Sequence, residues 1–302
     1  MNLTKDGFNQ PLTRRAFVGS AASLLVLPSL QSKEAMDAPK ALTVQQVIDI
    51  ILKNIPVPPI PHTTDTIKTG SPDQIVTGIV TTMFTTIPVI RKAIALKANF
   101  IIAHEPTFYN HLDETTWLEN DKVWKFKTDL LKRNGIAVWR FHDYWHSLEP
   151  DGVLMGVLTA LGWEKYYTTT APSIITIPTS SLQDVVKRCK EKLGIKNLRV
   201  IGDLSQSCTR IGLIPGASGG RGQMQLLQNE SPDVLLIGES PEWETIEYMR
   251  DAQEAKTKQA LIVLGHSVSE EPGMEYLVSW LQPKVPGITV THVKSQDPFQ
   301  WL

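Results

Sequence analysis

Four histidines of this chain, His104, His142, His146 and His266, follow apolar runs with the composition of buried strands, and two carboxylates, Glu105 and Glu270, stand beside them. The runs are residues 100–103, 136–141 and 260–264. The chain has seven histidines in all, so four of them at strand exits are hard to ascribe to chance. Imidazole nitrogens with carboxylate oxygens suit zinc, iron, manganese, cobalt or nickel better than calcium or magnesium. These histidines and carboxylates are more donors than one catalytic zinc with an open position uses, and so point to two divalent transition metal ions. Two such ions roughly 3.5 to 4 Å apart can share a water and clamp an in-line displacement, the logic of two-metal hydrolysis. His62 and His111 lack partners and read as surface residues.

Such residues can meet only if the strands that deliver them are parallel, since parallel strands put their exits on one rim of a sheet. Residues 74–83, 87–98 and 100–103 read as strand, helix and strand, a parallel crossover. Residues 43–52 read as a first helix, and the proline-rich stretch 54–69 as a loop. Residues 116–133 read as one helix in which Trp117, Trp124 and Leu131 recur every seven residues, a stripe for the core or a subunit contact. Residues 166–172 read as a connector. Strands at 174–177, 198–201, 208–214 and 234–237, with helices at 182–193 and 241–255, suggest a second, smaller α+β unit. Residues 215–222 read as a glycine-rich turn. If the chain turns into a helix after Gly265, His266 and Glu270 share one face, a common way to present two ligands.

With 302 residues, 42% hydrophobic and 20% charged, the chain can bury a substantial core. A net charge of -1, with no lysine or arginine run beyond the N-terminus, argues against nucleic acid as a partner. Residues 1–35 have the parts of a secretory signal, with Arg14-Arg15 before Phe17 like the twin-arginine type, so the mature protein is expected to be exported, periplasmic or extracellular. The apolar segment of that leader is short for a membrane span, so no membrane attachment is expected of the mature form. Cys189 and Cys208 are expected to be buried free thiols, since a fold of this size needs no disulfide staple.

The strand and His104-Glu-Pro106, the strand and His142-x-x-x-His146 with a Gly-containing helix, the Gly216 to Gly220 turn, Gly238-Glu239, Gly265-His266-x-x-x-Glu270 and Asp297-Pro-Phe299 occur in the order of a known motif series. The chain resembles the Nif-three-like dinuclear-metal hexameric family, often labelled GTP cyclohydrolase I type 2 homologue, over about residues 41–302. That family usually has two consecutive histidines where this chain has His104-Glu105, and an aspartate where it has His146, so the resemblance implies that His104, Glu105, His146, His266 and Glu270 keep its three imidazoles and two carboxylates as metal ligands, with His142 and Glu239 as supporting or proton-transfer groups. The resemblance implies two α/β domains per subunit: residues 41–165 with 260–302 form the metal-site domain, residues 166–259 are inserted, and the metals lie in the cleft between. It also implies a homo-oligomer, a hexamer. The expected function is metal-dependent hydrolysis of a small molecule, with GTP ring opening ranked below it because an exported protein would rarely meet GTP. A non-catalytic metal-binding or interaction protein is the alternative. A lesser one is a serine hydrolase, since Gly216-Ala-Ser-Gly-Gly220 fits a nucleophile elbow at Ser218, followed by Asp233 or Asp251 and then His266.

Overall fold

The computed structural model describes residues 41–301, and the leader expected over residues 1–35 lies outside them. Apolar runs without polar alternation become central parallel strands, the pattern of strands covered on both faces. β1 (Ile67–Thr69), β2 (Ile79–Thr82), β3 (Phe100–Ala103), β4 (Ala137–Arg140) and β10 (Val290–His292) form one five-stranded sheet in the order β1-β4-β3-β2-β10. β10, β2, β3 and β4 run parallel, and β1 closes the edge antiparallel to β4. β5 (Ile174–Ser181), β6 (Arg199–Ile201), β7 (Ser207–Ile214), β8 (Val234–Ile237) and β9 (Ala260–Val263) form the second sheet, ordered β5-β7-β8-β9-β6. Its centre, β7-β8-β9, is parallel and both edges are antiparallel. The fold is α/β with two sheets, and the chain leaves the second sheet for the first only after Val263.

Helices start where side chains satisfy their free N–H groups. α1 (Val44–Lys53) opens with a capping box between Thr43 and Gln46, and α2 (Ile87–Ala95), which links β2 to β3, is capped by Thr86. α3 (Lys122–Arg133) begins later than the tryptophan spacing suggests, because Asp121 accepts the Trp124 N–H at 2.7 Å. Residues 116–118 form a separate 3-10 turn that leaves Trp117 exposed, so the seven-residue stripe is not one helix face. α4 (Asp143–His146) is a single turn and α5 (Gly152–Leu161) is capped by Asp151. α6 (Leu182–Leu193) matches its expected span.

Two further departures lie in the second half. The glycine-rich stretch passes directly into a helix, α7 (Gly220–Glu230), whose first N–H donates to Glu244 Oε2 at 2.8 Å. Glycine's poor helix propensity hides this helix in the sequence. The helix expected over 241–255 opens as a π-type turn, Glu242–Ile246, in which Glu244 is non-helical (φ -99°, ψ -116°), and becomes regular at α8 (Glu247–Glu254). α9 (His266–Leu281) follows β9 at once and packs on α5, where a Cβ at Gly156 would lie 2.4 Å from both the Gly273 Cα and the Pro272 oxygen. Cys189 and Cys208 are buried and unpaired in the core of the second sheet. Among the described residues no helix is long and apolar enough to cross a membrane.

Candidate metal centre

The ends of parallel strands deliver the candidate ligands. His104 and Glu105 directly follow β3, His142 lies just past β4, the single turn of α4 carries the chain to His146, and His266 begins α9 two residues after Leu264. The structure brings His104, Glu105, His146, His266 and Glu270 together, and His142 with them. One ligand nitrogen each from His104, His142 and His146 lie within 4.8 Å of one another, as do ligand atoms of His104, Glu105 and Glu270.

The imidazoles are held by the same nitrogen. His104 Nδ1 donates to the Phe141 oxygen at 3.1 Å, and His142 and His146 Nδ1 bond the carboxylates of Asp143 and Asp151, each at 2.8 Å. His266 Nδ1 faces Glu239 Oε1 at 3.6 Å. A ring whose Nδ1 carries the proton offers the Nε2 lone pair, the arrangement metal-binding histidines share. These Nε2 atoms turn toward the two carboxylates. Glu270 Oε2 lies 3.0 Å from His266 Nε2 and 3.5 Å from His104 Nε2, while its Oε1 lies 3.9 Å from His146 Nε2. Glu105 Oε1 lies 3.2 Å from His266 Nε2 and 3.9 Å from His142 Nε2, and its Oε2 accepts from Arg140 at 3.2 Å.

Two observations test the fit of a cation here. His104 is fully buried and its Nε2 has no hydrogen-bond partner, a cost that a bound ion removes. Burial, with the neighbouring charges of His146 and His142, holds its pKa well below the ordinary value, so the ring stays neutral and able to ligate. His266 behaves oppositely: burial opposes its charged form, but hydrogen bonds to Glu105 and Glu270 outweigh burial and lift it to about 10. The carboxylate pair therefore demands positive charge between its members. The donor set and the unpaired nitrogen both fit divalent transition metal binding.

The site opens on a cavity of about 880 Å³ whose wall includes Glu105, His142, His146, His266 and Glu270. Gly216 explains the glycine-rich turn: its φ is +70°, and a Cβ there would lie 1.9 Å from Glu270 Oε1. Ser218 is exposed on the cavity wall, but its hydroxyl accepts from Gln223 at 3.2 Å, and His266 is engaged by carboxylates. Asp233 accepts the Thr209 and Arg210 N–H groups instead of orienting a histidine. Among the described residues neither Ser218 nor Asp233 is hydrogen-bonded to His266, as the nucleophile and acid of a triad would be.

A sequence profile described as Duf34/NIF3 (NGG1p interacting factor 3) matches residues 42–298. The chain belongs to this Duf34/NIF3 family. A Clostridium perfringens protein named GTP cyclohydrolase 1 type 2 homolog is 20% identical over 245 residues, 77% of this chain and 89% of that relative. A Clostridium acetobutylicum protein of the same name is 23% identical over 248 residues, 77% and 88% of the two chains. The fold is similar to a Bacillus cereus protein related to NIF3 (TM-score 0.70, 15% identity, 87% of this chain and 100% of that one). It is also similar to a Staphylococcus aureus hypothetical protein (TM-score 0.69, 20% identity, 87% and 100%).

In this Duf34/NIF3 chain, sequence reasoning missed the residue that organises α4. Asp65, buried in the proline-rich loop, accepts the N–H of His142 at 2.7 Å, of Asp143 at 3.0 Å and of Tyr144 at 2.9 Å. An aspartate in a loop carries no signal of a helix 77 residues away. His111, expected at the surface, is exposed but also lines the cavity, its ring 6.4 Å from that of His142. His62 is exposed, as expected.

Proposed function

We propose that this chain holds two divalent transition metal ions and hydrolyses a small-molecule substrate in the adjoining cavity. The reading is carried by one observation: four histidines, with Nδ1 bonded or facing an acid, turn Nε2 toward Glu105 and Glu270. His104, His142 and His146 would hold one ion and Glu105 with His266 the other. Glu270 would span them, supported by one oxygen facing His146 and the other facing His104 and His266. Lewis acidity and activation of water are what such a pair supplies when bound.

The remaining work falls to the chain's own groups. Arg140 orients Glu105, and Asp143 and Asp151 fix the rings of His142 and His146. Glu239, half exposed, faces His266 Nδ1 at 3.6 Å and would orient that ring. Phe84, Ile87, Leu154 and Leu213 give the cavity apolar walls that exclude water around a bound substrate. The reading includes export through the leader and assembly as a homo-oligomer, a hexamer by resemblance. The names of the Clostridium relatives suggest ring opening of GTP, which an exported protein would rarely meet, so a different small molecule is favoured.

The test is metal content per chain after purification without chelators from metal-replete medium, with wild type near two ions and His266→Ala well below it. A wild-type value near zero sinks the reading. Two ions per chain with no turnover of phosphate esters, amides or nucleotides would instead make this a non-catalytic metal protein.

A further inference from the structure

The same cavity holds a cation that the proposed chemistry does not use. Lys127, on α3, is 4% exposed and lines the cavity. Its ammonium sits 5.0 Å from the Tyr109 ring centroid and 5.8 Å from that of Phe108, and donates to the Thr107 carbonyl oxygen. Aromatic faces hold an ammonium in place without neutralising it. Among the described residues Lys127 forms no ion pair; Asp113, the acid whose charge it feels, pairs with Lys68 at 3.2 Å and accepts the Phe108 N–H at 2.7 Å. Only one of its three donors has a partner. Burial accordingly pushes its pKa down to about 8, leaving it mostly charged at neutral pH. Two other lining residues share the deficit: Thr85 is 1% and Thr107 0% exposed, and both hydroxyls lack a hydrogen-bond partner. A buried donor without a partner carries a desolvation cost, so three under-partnered donors in one cavity wall suit an acceptor that the described residues do not supply.

The geometry points to an oxyanion subsite in which Lys127, with the hydroxyls of Thr85 and Thr107, takes the phosphate or carboxylate group of a small molecule bound in the cavity. That this molecule is the substrate rests on the hydrolase reading above; the binding of the anion does not. The substrate class becomes an anionic small molecule, gripped at Lys127 and cleaved at the histidine cluster. One cavity of about 880 Å³ joins the two, a volume within the range of small-molecule sites.

Calorimetric titration with inorganic phosphate and, separately, acetate tests this on the whole chain at pH 7, both metal-replete and stripped by a chelator that is then removed. Stripped wild type is expected to bind one of these anions, and the preferred one distinguishes phosphate from carboxylate. Lys127→Met, which keeps the length and apolar stem, should weaken binding about tenfold or more, and Lys127→Arg should retain it. Thr107→Val removes a hydroxyl without altering charge and should also weaken binding, which keeps the test alive if Lys127→Met fails to fold by circular dichroism. Undiminished anion affinity in both Lys127→Met and Thr107→Val, or binding that appears only in metal-replete protein, overturns the subsite. A protein that holds no metal but binds the anion through Lys127 would remove the hydrolase reading and leave the subsite standing.

Discussion

An imidazole has two nitrogens, and a protein that commits one of them decides what the other can do. In this chain the committed nitrogen is Nδ1 at His104, His142 and His146, so what remains at the centre is a set of Nε2 lone pairs and carboxylate oxygens. The most restrictive neighbour of that set has no side chain. At Gly216 even a methyl group would meet Glu270 Oε1, and its φ of +70° is disfavoured for other residues. Gly216→Ala is expected to lower stability by roughly 1–3 kcal/mol and to reduce bound metal by displacing Glu270. Gly135→Ala is the control, since φ there is +57° but no atom lies within 4 Å of the added methyl. Urea unfolding and metal analysis of both variants check this, and equal metal loss in the two would refute the steric role of Gly216.

At the scale of elements, the single turn α4 is too short to be stable on local propensity, since helix nucleation is unfavourable. Asp65 supplies what the turn lacks, taking three consecutive N–H groups on one carboxylate. Asp65→Ala should cost roughly 1–3 kcal/mol and loosen His142 and His146 together, read as lost metal stoichiometry and a lower melting temperature. Unchanged metal content would mean that α4 is held by its packing alone. This division explains what could be read from the sequence. Strand exits at His104, His142 and His266 were legible because Phe100–Ala103 and Ala260–Val263 are unbroken apolar runs and residues 136–141 are interrupted only by Arg140, and the pairing of His266 with Glu270 followed from helical spacing. Asp65 was not, because its partners are set by tertiary folding and no local period links a proline-rich loop to α4. The edge strand β1 is hidden by the proline-rich stretch that leads into it, and β10 was missed although Ile288-Thr-Val-Thr alternates as an edge strand does. α7 was concealed by glycines, and Trp117 seemed helical by spacing although Asp121 starts the helix after it.

For the whole molecule, the candidate ligands arise from three stretches of chain, at residues 104–105, 142–146 and 266–270, and between the last two the chain builds most of the second sheet before β9 returns it. Ions that bind the folded arrangement and not the open chain stabilise by mass action. Chelator is therefore expected to lower the melting temperature of metal-loaded wild type, with recovery on adding metal back and little response in His266→Ala. A melting temperature indifferent to chelator in protein shown to carry metal would refute this linkage. The ligand-bearing stretches are separated by long lengths of chain. Joining them through a shared ion closes long loops of the polypeptide, as a disulfide does, so the unfolded chain would lose freedom wherever the ion stayed attached. In a chain whose two cysteines are free and buried, an ion held at His104, His142 and His266 would be a reversible cross-link, one released by chelation and not by a reductant.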